Sequence, residues 1–194
     1  MSIPTDAGRF SLTGPLYTAR LRLRAFVPGD VAFMLDVKSR PDVVRYLYED
    51  VQDEAAVQAL VGRRVTQTAL KAPGDGLSTL VETRDGVPLG EAMLMWDDSP
   101  HRQGEIGYII HPAHQGHGYA AEACEVLLRI GFLVVGLHRI VGRLEARNQA
   151  SARVLEKLRM RAEAHLVENE WVKEEWQSEI VYALLDREWA ALHR

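Results

Sequence analysis

Apolar positions change their spacing several times along the chain, and each change predicts an element. From Leu16 to Phe26, "LYTARLRLRAF", apolar and charged residues alternate over Leu21, Arg22, Leu23 and Arg24, the period of a half-buried strand. Pro28-Gly29-Asp30 then opens a helix: Asp30 suits an N-cap, and Val31, Met34 and Leu35 follow at helical spacing. A second helical stretch runs from about Asp53 to Leu70 and stops at "APGDG". "LSTLVET" and "VPLGEAMLMW" flank Arg84-Asp85-Gly86, a hairpin signal, and "EIGYII" (Glu105–Ile110) is a further strand.

A longer helix is predicted from Gly118 to about Val135. Its polar positions Glu122, Glu125 and Arg129 form one narrow stripe, so the helix is mostly buried. His138–Glu145 reads as a strand and Asn148–Leu158 as a short helix. "AEAHLVEN" and "SEIVYALL" close the chain as two strands around Asn169-Glu170. This order of elements predicts an α/β or α+β domain with a mixed sheet.

A length of 194 residues predicts one domain over residues 16–194, preceded by a flexible arm, residues 1–15. With 47% hydrophobic and 26% charged residues the chain can bury a core. A formal net charge of −4 gives no broad basic surface, so nucleic acid is not an expected partner. The single cysteine, Cys124, excludes a disulfide framework and a cysteine zinc site. No segment reaches the roughly 18 to 20 apolar residues of a membrane span, and no apolar run of signal length opens the chain. A cytoplasmic location is expected.

The stretch "HPAHQGHGYAAEA" (His111–Ala123) carries the candidate chemistry. His111, His114 and His117 could suggest a metal, but Pro112 and the glycines break any helix that could align them, and no metal is expected. Gly116-x-Gly118-x-x-Ala121 fits a dinucleotide fingerprint and lies between a strand and a helix, with Glu145 ending the next strand. Against it, His111 to Gln115 separate the strand from the first glycine, and too little chain follows for a doubly wound sheet. A third reading keeps the physics and changes the ligand. A glycine loop opening a helix presents unpaired N–H groups and a positive dipole end to a pyrophosphate.

The frame Gln115-x-x-Gly118-x-Ala120 resembles the Q/R-x-x-G-x-G/A signature of GNAT N-acetyltransferases. The similarity extends, in register, over residues 16 to 185. "EIGYIIHPAHQGHGYAAEA", "RNQASARVLEKL" and "TARLRLRAF" resemble the strand–loop–helix, the N-x-x-S helix and the opening strand of the RimJ/RimL-like branch. The resemblance implies a GNAT-type mixed, largely antiparallel sheet with helices on both faces. It also implies acetyl-CoA as co-substrate and a primary amine, small or peptidic, as acceptor, which attacks the thioester directly in a ternary complex. A homodimer is a further implication.

By the same resemblance, backbone groups of Ile109, Ile110 and His111 would meet the pantetheine arm. Amides of Gln115, Gly116, His117, Gly118, Tyr119 and Ala120 would hold the pyrophosphate. Asn148 would contact the pantetheine, and Ser151 the sulfur as acid. Glu105 is the first candidate base and Glu91 the second. Two positions depart from the family pattern. Leu155 stands where many GNAT enzymes carry an acidic tyrosine, and "KLRM" replaces "KLGF", so that Arg159 takes a glycine's place in the turn that follows. A non-catalytic acyl-CoA-binding module and an NAD-dependent oxidoreductase are the competing readings. In the closing segment Arg161–Glu179, six glutamates surround Trp171 and Trp176. That segment reads either as an acidic, aromatic rim for a cationic amine or as a solvated hairpin with its tryptophans packed beneath.

Overall fold

The structure is a computed structural model, and it describes residues 9–97 and 100–193. In chain order the strands are β1 (Phe10–Ser11), β2 (Leu16–Tyr17), β3 (Leu21–Arg24), β4 (Ala69–Leu70), β5 (Gly76–Thr83), β6 (Pro88–Trp96), β7 (Gln103–Ile110), β8 (Arg139–Glu145), β9 (Arg161–Val172) and β10 (Glu175–Leu185). The helices are α1 (Val31–Lys38), α2 (Pro41–Val44), α3 (Glu54–Thr66), α4 (Tyr119–Arg129), α5 (Gln149–Lys157) and α6 (Asp186–Leu192). Eight strands form one sheet in the order β2-β3-β5-β6-β7-β8-β10-β9, antiparallel throughout except for the β7–β8 pair. This is the mixed, largely antiparallel α/β sheet expected.

Strand register sorts the side chains onto two faces, because neighbours in a ladder point the same way and successive residues alternate. Leu80 faces with Glu91, Met95 with Glu105, Glu105 with Val141, and Arg143 with Val181. One face therefore carries Glu91, Glu105, Arg143 and Glu179. Part of it is covered by α1 and α3, whose Met34, Val57, Leu60 and Val61 pack with Leu80 and Phe26. The opposite face carries Ala92, Leu94 and Ile106 under α4, through Ala123, Cys124 and Leu127.

Several boundaries differ from the sequence reading. Of the expected N-terminal arm, residues 1–8 lie outside the described residues. From Phe10 onward the chain is docked: β1 pairs with β4, and Phe10 is 1% exposed. The opening strand is a hairpin, β2–β3, whose turn is held by Thr18. Asp30 does not cap α1. Its carboxylate accepts from Arg24 at 2.7 and 2.8 Å and from the Val27 amide at 2.8 Å, so the arginine of β3 outcompetes the helix end. Asp53 does cap α3, accepting from the Ala56 amide at 2.9 Å. The long helix is α-helical only to Arg129 and continues to Val135 as a π-helical turn. The closing hairpin turns at Lys173-Glu174, both with positive φ, and not at Asn169-Glu170, which lies within β9.

Candidate active site

The β7–β8 ladder is short. Gln103, Gly104 and Glu105 pair with Arg139, Ile140 and Val141, and there the pairing ends, although β7 continues to Ile110 and β8 to Glu145. Past Glu105 the two strands splay. Two bonds fix which backbone groups face the opening. His111 N–H donates to the Leu89 carbonyl at 2.8 Å, and Asp97 N–H to the Gln103 carbonyl at 2.9 Å. An antiparallel ladder alternates, so the odd-numbered residues of β7 bond to β6 and the even-numbered ones face β8. Gly90 confirms the direction: a Cβ there would lie 2.0 Å from the Ile109 carbonyl oxygen, so β6 can approach only as glycine.

The open edge is consequently built from Tyr108 and the Ile110 amide. Of the three residues expected there, His111 has its amide bound to Leu89 and Ile109 points toward β6. The Ile110 carbonyl accepts from the Gln115 side chain at 2.9 Å, leaving its N–H. Strand parity decided this, and the motif alone could not show it.

The loop after β7 makes one short helical turn, Pro112–His114, and then reaches Gly116 and Gly118, both at φ +80°. The Gln115 amide is used within that turn, donating to Pro112 at 3.3 Å. Glu122 N–H closes on the Gly118 carbonyl at 3.1 Å. Among the described residues the amides from Gly116 to Ala121 in between have no partner, which is the orphan-donor set of a helix start extended back into a glycine turn. Relative to the sequence expectation the set loses Gln115 and gains Ala121. His117 stacks on Tyr119 at 5.5 Å between ring centres. Arg20 lies alongside, bonded to Glu122 and to the His117 carbonyl, and Lys157 Nζ would be 3.0 Å from a Cβ at position 118.

A cleft of about 310 Å³ runs through the splay, lined from both faces of β7. On the α5 side it meets Asn148, Ser151 and Leu155. Asn148 caps α5, its Oδ1 accepting from Ser151 N–H at 3.1 Å, and Tyr108 Oη donates to the Ser151 carbonyl at 3.0 Å. Ser151 is thus clamped from both sides at the cleft wall. Burial pushes the Tyr108 hydroxyl well above the usual tyrosine range. Leu155 fills the space over Gly142, where a Cβ would meet it at 2.8 Å. His111 leaves the loop for α1, with Nε2 3.0 Å from Asp36 Oδ2. Among the described residues no group of three or more metal-ligating side chains forms.

On the opposite side the cleft is acidic. Glu91 sits at its floor, 1% exposed, with Oε2 3.1 Å from Arg64 and Oε1 3.9 Å from Lys38. Glu105 is more open, and Arg143 Nε lies 3.4 Å from its Oε2. Burial raises the Glu105 carboxyl above its ordinary value; Arg143 opposes this and Glu179 adds to it. Tyr48, from the segment after α2, stands near Glu170, Glu179 and Glu105, and its hydroxyl is raised by desolvation and then by these carboxylates. The two tryptophans are neither buried nor at the cleft. They form an exposed edge-on pair 5.3 Å apart at the hairpin end, out of phase with Gln177 and Glu179, which do line it.

Residues 20–161 match the family described as "Acetyltransferase (GNAT) domain". The chain belongs to that family. It is 31% identical over 172 residues to the "Uncharacterized N-acetyltransferase YnaD" of Bacillus subtilis (strain 168), covering 89% of this chain and 97% of that one. The crystal structure of a GNAT-family acetyltransferase from Bacillus anthracis superposes with a TM-score of 0.80 at 26% identity, over 90% of this chain and 100% of that one. Spermidine N-acetyltransferase from Vibrio cholerae, solved with CoA and spermine, has a TM-score of 0.76 at 23% identity, over 89% and 99% of the two chains.

As a GNAT enzyme the chain is an N-acetyltransferase, and the dinucleotide reading of its loop falls. Among the described residues the sheet is antiparallel outside one pair, with no doubly wound crossover to hold a dinucleotide. Four cleft groups of this acetyltransferase escaped the sequence reading: Tyr108, Arg143, Tyr48 and Lys38. Tyr108 was within the quoted motif, and alternation from Glu105 places it on the other face. For Tyr48 and Lys38 no local signal exists, because only the fold brings α1 and its following segment over β6.

Proposed function

We propose that the protein transfers acetyl from acetyl-CoA to a primary amine, by direct attack, as a RimJ/RimL-like GNAT enzyme of the cytoplasm acting through one domain. The observation that carries this reading is that the open strand edge leads directly into six unpaired amides at the head of α4. Donors of that kind fit a pyrophosphate, and Gly118 leaves room where a side chain would crowd Lys157. Acetyl-CoA, when bound, supplies an acetyl thioester. Gly116–Ala121 would hold its pyrophosphate, Tyr108 and Ile110 its extended arm, and Asn148 the facing side. Ile110 N–H is the donor available to a thioester carbonyl.

The acceptor's side is the acidic face, consistent with an amine that arrives protonated. Glu105 takes that proton: it is solvent-reachable, and burial holds it toward neutrality, which suits a base working near neutral pH. Glu91 is the weaker candidate, since Arg64 occupies one of its oxygens and it is almost sealed from solvent. Ser151, clamped by Asn148 and Tyr108, offers its hydroxyl to the leaving sulfur. Cys124 is fully buried on the sheet-facing side of α4 and takes no part.

Coenzyme A at a hundred times its Kd should stabilise the protein by about 2.7 kcal/mol, and NAD should leave the melting curve unchanged. Stabilisation by NAD alone would sink the proposal. Thiol release with an amine panel should fall about 100-fold in Glu105→Gln. The acid limb of kcat/KM should lie above the ordinary carboxylate value, activity being lost as pH falls and Glu105 gains its proton.

A further inference from the structure

The carboxylates of the cleft differ in how they are neutralised. Glu49 is paired with Lys38 at 2.7 Å and Glu91 with Arg64 at 3.1 Å. Arg143 serves two at once. Its Nη1 is 2.9 Å from Glu179 Oε1 and its Nε 3.4 Å from Glu105 Oε2, the three residues sitting on adjacent strands of one face. Glu170, near Tyr48, has no cationic partner among the described residues. Arg143 and Glu105 are the open members of the group, with side chains 45% and 47% exposed, against 9% for Glu179.

We propose that Arg143 is the specificity-determining residue of the acceptor site: its guanidinium stands between Glu105 and Glu179, where a second positive charge of an acceptor would otherwise be held. The inference rests on the reading that amines approach Glu105 from this face. A singly charged amine needs one carboxylate, and Glu170 provides it. A doubly charged acceptor must displace a cation that the protein itself supplies. Removing Arg143 leaves Glu105, Glu170 and Glu179 on one side of the opening, with Lys38 and Arg64 committed to Glu49 and Glu91, an arrangement that favours dications.

Arg143 also acts on the base through space. Glu105 is faced by Arg143 from β8, Glu179 from β10, Asp97 at the end of β6 and Tyr48 from the segment after α2. Of these only Arg143 favours the charged carboxylate, so its loss moves Glu105 toward the protonated form.

The test measures thiol release with 1,4-diaminobutane and with butylamine, as a function of pH, in wild type, Arg143→Gln and Arg143→Lys. Arg143→Gln should lower KM for the diamine about fivefold, as expected for one partly exposed ion pair. It should leave butylamine KM nearly unchanged and shift the acid limb of kcat/KM to higher pH for both amines. Arg143→Lys should restore the wild-type pattern. Equal changes in KM for the two amines, an unmoved acid limb, or a parallel loss of coenzyme A affinity by calorimetry would overturn the proposal. Full turnover in Glu105→Gln would remove Glu105 as base, while the diamine-to-butylamine ratio would still decide the role of Arg143.

Discussion

Glu91 shows how one buried side chain can hold a cleft together without doing its chemistry. Its carboxylate joins β6 to α3 through Arg64 and stands beside Lys38 of α1. Truncation would leave Arg64 without its main counter-charge in a place water reaches poorly. Glu91→Ala should cost about 3 kcal/mol in chemical denaturation, with Glu91→Gln costing less because the amide oxygen still accepts from Arg64. The loop glycines separate two effects of a side chain. Both have φ +80°, so either substitution carries roughly 1 kcal/mol of left-handed strain. Only at position 118 would a Cβ also press on a neighbour, Lys157 Nζ at 3.0 Å, whereas position 116 is open. Gly118→Val should therefore weaken coenzyme A binding in calorimetry much more than Gly116→Ala does.

At the level of elements, the end of α5 corrects an expectation. The substitution of Arg159 for a glycine suggested a reshaped turn, yet Arg159 adopts the left-handed conformation itself, at φ 61°. Met160 N–H reaches the Leu155 carbonyl at 3.0 Å and Arg159 N–H the Glu156 carbonyl at 2.9 Å, the paired bonds of a glycine-type helix stop. Leu155 and Met160 are both buried, and that apolar contact holds the turn against the strain. Arg159→Gly should accordingly raise stability by about 1 kcal/mol, seen as a higher denaturation midpoint with unchanged turnover. The cap at the other end, Asn148, was legible from sequence because Asn before a helix has a local chemical reason. The role of Asp30 was not, because a partner six residues away, Arg24, claimed its carboxylate.

For the whole molecule, what could be read in advance was whatever depends on neighbours in sequence. Strand periods, the Arg84–Gly86 turn and the glycine loop all lie where alternation and turn chemistry put them. Strand parity across the sheet could not be read this way. Whether Ile109 or Ile110 offers its amide depends on the β6–β7 register, which Gly90 and the Leu89–His111 bond set from another part of the chain. The same holds for charge. The chain is only mildly acidic, at −4, yet the fold gathers six glutamates around one opening and distributes Lys38, Arg64 and Arg143 among them.

The brief β7–β8 ladder has a mechanical corollary. With only three rungs, it leaves the two parts of the sheet joined there like a zip fastened at one end. A coenzyme arm lying along the unfastened length would take over the hydrogen bonds that a ninth strand would have made. Amide exchange at Tyr108 and Ile110 should then slow on adding coenzyme A, while Ile109 and His111, already committed to β6, exchange at the same rate as before.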